Sequence, residues 1–183
     1  MKQFVVTQFK RLIALTAVGM FLGCQSSDLD LYFVDHQEQA NFLTLDIPKS
    51  VIAIDDADLT PRQLEAYNSV DKLNILMFKS DSSTVSQLDK EVATLNDIFK
   101  NSKYEELMKF GEQKEARVRL LINGDETALD EMVLYGHMSS RGFAVVRVLG
   151  DDMKLQDIMS LSSVIQQSDL SALNIDSIQD FFQ

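Results

Sequence analysis

Three short apolar-rich runs, set one after another, constrain the fold of this chain more than any other feature: Ala116 to Ile122, Glu131 to Met138 and Phe143 to Leu149. In the first, Val118, Leu120 and Ile122 alternate with Arg117 and Arg119, the two-residue period of a strand with one buried and one wet face. The turns between the runs, NGDET and SSRG, are short enough for an antiparallel meander. A meander must bury its apolar face against something. The sequence supplies a partner in Val85, Leu88, Val92, Leu95, Ile98 and Phe99, which share one face of a helix while Asp89, Lys90, Asp97 and Lys100 take the other.

Around this centre the pattern predicts further elements. Asn41 to Ile47 alternates as a strand, and Lys72 to Lys79 is apolar on both faces, as a central strand is. Pro48 can open a short helix. Thr60-Pro61-Arg62-Gln63 joins a capping Thr, a first-turn Pro and a Gln three residues after the cap, so a helix runs from Pro61 to about Ser69. Tyr104 to Phe110 reads as a short helix stopped by Gly111. After Gly150, Asp151 or Asp152 caps a last helix carrying Leu155, Ile158, Met159 and Ile165. Leu31 to Gln39 fits helix or strand. The expected fold is α+β: a largely antiparallel sheet of four or five strands with helices packed mainly on one face.

The N-terminus bears on location. Lys2, Lys10 and Arg11 precede an apolar run from Leu12 to Leu22, and small Gly23 precedes Cys24, the anatomy of a secretory signal. The run is shorter than the roughly 20 apolar residues of a spanning helix, and polar Gln25, Ser26, Ser27 and Asp28 follow at once. A retained transmembrane anchor is thus the weaker reading. Residues 21–24, FLGC, resemble a bacterial lipobox, with Phe21 where Leu is commonest and Leu22 where a small residue is usual. The resemblance implies cleavage between Gly23 and Cys24 and lipidation of Cys24; the plainer alternative is an ordinary signal cut nearby. A lone cysteine in an oxidising compartment has no disulfide partner, which suits the lipid reading. The expected organisation is a signal over 1–23, a polar tether over 24–30, one domain over 31–167, and a tail or docked short helix over 168–183. Asp28 and Asp30 in the tether serve either as a surface-export address or as a solvated linker.

Composition narrows function by exclusion. The chain carries a formal charge of −11, and loss of Lys2, Lys10 and Arg11 with the signal leaves the remainder more acidic still. Such a surface repels nucleic acid and anionic head groups, so membrane affinity must come from the lipid. Two histidines, His36 and His137, and one cysteine cannot assemble a zinc site by local spacing. Asp55, Asp56 and Asp58 lack the ligand alternation of a calcium loop and read as a solvated loop. Neither a serine-hydrolase elbow nor a glycine-rich phosphate loop occurs. His137 lies in a strand pattern and is read as a structural histidine. No metal, cofactor or catalytic residue is implied.

The order of a lipobox, an amphipathic helix, YEELMKF at Tyr104 to Phe110, then RVRLLING, EMVLYGHM and VVRVLGDDMKLQDI at Val145 to Ile158 resembles a family of Gram-negative envelope proteins, domain of unknown function 4252. The resemblance spans roughly residues 31 to 165. It implies a shared fold and carries over no active residue, because the family has no established activity. Some members stand beside extracytoplasmic sigma factor genes, which implies a link to envelope signalling. The expected function is a non-enzymatic lipoprotein, held at the outer membrane through Cys24, that binds a protein or ligand. The alternative is an envelope hydrolase whose carboxylates converge only in the fold.

Overall fold

The computed structural model describes residues 27–52, 54, 58–101, 103–111 and 116–165. Six strands form one antiparallel sheet: β1 (Phe42–Pro48), β2 (Val70–Lys79), β3 (Glu105–Phe110), β4 (Ala116–Asp125), β5 (Ala128–Met138) and β6 (Gly142–Met153), in the order β1-β2-β6-β5-β4-β3. Among the described residues four α-helices accompany it, α1 (Asp28–His36), α2 (Pro61–Ser69), α3 (Val85–Asn101) and α4 (Leu155–Ile165), with a 3-10 turn at Lys49–Val51 after Pro48. The expected α+β class and the β4–β5–β6 meander are present. The sheet has six strands rather than four or five.

The extra strand is β3, formed by the stretch expected to be a helix at Tyr104 to Phe110. Pairing shifts between Glu106 and Met108, so Leu107 is the extra residue of a bulge. That bulge sets Leu107 and Met108 side by side in an edge strand and erases the two-residue alternation. The adjacent apolar pair then mimics helical spacing. Gly111 does break the chain, with φ of 81°, but it ends a strand, and a Cβ there would lie 2.1 Å from the Ala116 carbonyl oxygen.

Helices cover both faces of the sheet, not mainly one. On the first face, Leu76 and Phe78 of β2, Leu121 of β4, Tyr135 of β5 and Phe143 of β6 meet α1 and α3, with Leu88, Leu95 and Phe99 supplied by the predicted α3 stripe. On the second face, Leu120, Leu129 and Met153 meet Ala66 of α2 and Leu155, Ile158 and Leu161 of α4. The two short helices also bind each other, through Arg62 on Asp157, Lys154 on Glu65 at 2.6 Å and Gln63 Nε2 donating to Ser160 O at 3.2 Å.

Helix starts follow local chemistry. Thr60 and Gln63 form the expected capping box on α2. A second capping box, Ser27 with Asp30, starts α1 inside the stretch read as a tether. The last helix is not capped by Asp151 or Asp152: β6 continues to Met153, with Asp152 at φ of 50°, and α4 begins at Leu155. Among the described residues no helix is long and apolar enough to cross a membrane.

Candidate functional site

The two faces are covered unequally. At about 1.5 Å per residue, α3 runs about 25 Å across the first face, while α2 and α4 reach only about 14 and 16 Å. Six strands about 4.8 Å apart span roughly 24 Å. The paired short helices therefore roof one end of the second face and leave the rest open.

Where the roof ends, a cleft of about 350 Å³ opens. Its floor is Leu73 of β2, Val148 of β6, Met132 and Leu134 of β5, Leu120 and Val118 of β4, and Met108 and Phe110 of β3. Ile158, Met159 and Leu161 of α4 form the end wall, with Tyr67 of α2 and Ile52 beside them. Floor residues alternate along each strand with residues facing α1 and α3, so the ordinary strand period aims them here. Large apolar groups stand in the open: Phe110 is 60% exposed and Leu134 45%. Contiguous exposed apolar surfaces are, in general, where proteins meet ligands or partners.

One rim is polar. Tyr67 donates its hydroxyl proton to Ile52 O at 3.0 Å, and Lys49 donates to Asn68 O at 3.1 Å with its ammonium 5.6 Å from the Tyr67 ring centre. The cleft thus joins an aliphatic and methionine-rich floor to one fixed cation among the described residues, Lys49. Its walls can adapt in shape, because Met108, Met132 and Met159 have flexible unbranched side chains.

The residues singled out in the sequence fall elsewhere. Gly23, Cys24 and the segment 168–183 lie outside the described residues, as do Asp55 and Asp56. His36 is structural: its Nε2 stands 3.3 Å from the Glu91 carboxylate, its Nδ1 2.6 Å from Tyr32 O, and its ring packs 4.1 Å from that of Tyr32. Among the described residues no three His, Cys, Asp or Glu side chains form a group able to hold a metal.

The arginine face of β4, expected to be wet, lies under α3. Arg119 is engaged by the Glu106 carboxylate and donates to Asn96 Oδ1 at 3.0 Å, its guanidinium 5.2 Å over the Phe99 ring. Arg117 and His137 share a cavity of about 210 Å³ with Tyr135, Ser139 and three side chains of α3, including Asp89. Burial and the Arg117 charge lower the His137 pKa, against the pull of Asp89. No hydrogen bond joins Asp89, His137 and Ser139 into a relay among the described residues.

Sequence reasoning missed a buried charge centre. Arg147, 3% exposed, donates from Nε to Glu131 Oε1 at 2.5 Å and from Nη2 to Asp30 Oδ1 at 2.6 Å. Tyr104 donates to Glu131 Oε2 at 2.7 Å, and the Phe33 ring lies 5.0 Å from the guanidinium. Asp30 feels burial, which opposes its charge, but its bonds to Arg147 and Ser27 hold its pKa below the usual carboxylate range. The centre rivets α1 to the sheet, and its side chains are not among those that line the apolar cleft. The available signal was a charged residue at the middle of an apolar strand, Arg147 in VVRVL, a position that demands a paired charge.

A family model described as Domain of unknown function (DUF4252) matches residues 32–161. The chain belongs to this family. The matched span contains all six strands and every cleft residue from Lys49 to Leu161, so the cleft is built wholly within the family's domain. Asp30, which completes the Arg147 centre, lies just outside it. No curated protein and no solved structure matches the chain.

Proposed function

We propose that this chain is a non-enzymatic envelope lipoprotein, anchored through Cys24, whose domain holds an amphiphile with an acidic head in the cleft on the open sheet face. The observation that carries the reading is the cleft itself: about 350 Å³ of apolar walls within the size range of small-molecule sites, with Lys49 fixed at one rim. An aliphatic chain gains about 0.8 kcal/mol for each CH₂ it buries on such a floor. Lys49 favours a carboxylate or phosphate head over a neutral or cationic one. A lipid anchor would keep the domain close to a supply of such molecules.

The hydrolase alternative draws on the placing of His137 beside Asp89. The cavity is small and no relay links the two to a nucleophile, so the binding reading stands ahead of it. The test is titration of the full chain with a fluorescent fatty acid. Saturable binding that weakens in Leu134→Gln and Lys49→Gln is expected. Binding unchanged by both substitutions, or no binding, sinks the proposal; an amphipathic peptide that binds where the fatty acid does not would assign the cleft to a protein partner.

A further inference from the structure

The opposite face carries a second cavity, unlike the cleft in every respect. It lies where α3 crosses the outer end of the β4–β5 pair, and its volume is about 210 Å³. Asp89, Val92 and Asn96 recur at helical spacing on α3, so one stripe of that helix forms its lid. Below them Arg117 is paired with His137 across the two strands, and Tyr135 sits two residues before His137 on the same face.

Two buried polar atoms here have no hydrogen-bond partner among the described residues: Arg117 Nε and Tyr135 Oη. Tyr135 is 1% exposed, and its ring is wedged between Phe99 at 5.4 Å and Phe143 at 6.3 Å, so the hydroxyl is held in place beside the cavity. A buried donor left without a partner in the chain is costly, so the pair calls for an oxygen acceptor from outside it, water or a ligand. Arg119, two residues from Arg117 on the same face, shows the contrast, because Glu106 and Asn96 already engage it. Asn96 accepts from Arg119 at Oδ1, and its NH₂ group remains as a donor for the cavity. Asp89, the one acid among the described lining residues, is exposed at the mouth.

We propose that this cavity binds a small zwitterionic carboxylate of the α-amino acid class, its carboxylate received by Arg117 and Tyr135 and its ammonium facing Asp89. Donors at the floor and an acid at the mouth match the two ends of such a molecule. The volume, roughly seven waters' worth, admits only a few heavy atoms. Arg119, the cross-strand partner of Tyr135, is already engaged by Glu106, which leaves one further guanidinium beside an acid and disfavours a dianion such as phosphate. Burial pushes the Tyr135 pKa up to about 12 and lowers that of His137, so the phenol stays a donor and Arg117 is the cation facing the floor at neutral pH. This site is separated from the cleft by the sheet and does not depend on the cleft's occupant.

The test is titration of the full chain with glycine, L-alanine, acetate and inorganic phosphate, followed by the Arg117 Nε–H signal in NMR spectra. Glycine and L-alanine should give saturable shifts. Tyr135→Phe keeps the packed ring, and Arg117→Met keeps most of the aliphatic stem; each should weaken binding about tenfold or more. Asp89→Asn should weaken the amino acids and not acetate. No saturable shift with any probe, phosphate binding more tightly than glycine, or full affinity in Tyr135→Phe would each overturn the proposal.

Discussion

Replacing Arg147 by Met should be among the most damaging single changes in this protein. The guanidinium is 3% exposed and bonded to Glu131, itself 3% exposed, and to Asp30. Methionine fills much of the same space, so lost packing is the smaller part of the effect. The larger part is Glu131, left buried with Tyr104 as its remaining donor. Stranding one partner of a buried ion pair costs about 3–5 kcal/mol, against a total stability of about 5–15 kcal/mol for a domain. Urea unfolding of the full chain, followed by far-ultraviolet circular dichroism, should show the midpoint falling steeply with little change in slope. The double variant Arg147→Met with Glu131→Gln removes the stranded charge and keeps an acceptor for Tyr104, so it should recover more than half of the loss. A single variant that loses less than about 1 kcal/mol, or a double variant worse than the single, would show that the stranded charge is not the dominant cost.

Other outcomes follow from the same geometry. Asp30→Asn should lower stability at neutral pH and flatten the acid limb of a pH titration; the Asp30 pKa is lowered in the fold, so its contribution is present above the carboxylate range and lost as pH falls through the folded value. Gly142→Ala should cost well over about 1 kcal/mol in thermal unfolding, since φ is 132° and a Cβ would sit 1.8 Å from the Phe78 carbonyl oxygen. Leu120→Ala, at a site only 7% exposed, should cost about 2–4 kcal/mol, whereas Leu134→Ala, 45% exposed, should cost under about 1 kcal/mol. Cys24→Ser should move the protein from the membrane to the soluble fraction on cell lysis; a variant that stays with the membrane would end the lipid-anchor proposal.

Much of the fold was legible because its elements carry undiluted local signals. The α3 stripe, the Thr60–Gln63 capping box and the β4–β5–β6 meander each state their period or their cap within a few residues. What was lost depends on contacts between distant segments. The bulge at Leu107 broke the alternation of β3, so an edge strand looked like a turn of helix. Strand alternation in β4 correctly separated Val118, Leu120 and Ile122 from Arg117 and Arg119, yet it could not say which side was covered. That depended on α3 being long enough to cover the arginine side and on α2 and α4 being short and bound to each other, so they bury Leu120 and Ile122 and leave Val118 exposed. Asp30 looked like part of a tether because its partner, Arg147, stands far along the chain.

The cleft is tested most directly by NMR of the full chain with labelled methionine methyl groups, titrated with decanoate. Saturable shifts should concentrate on Met108, Met132 and Met159, which line the cleft, with little movement of Met153, which is buried outside its lining. Decanol should give weaker binding, because it offers Lys49 no charge. Shifts absent from the three cleft methionines, or spread evenly over all methionines, would contradict the claim that this face is a ligand site.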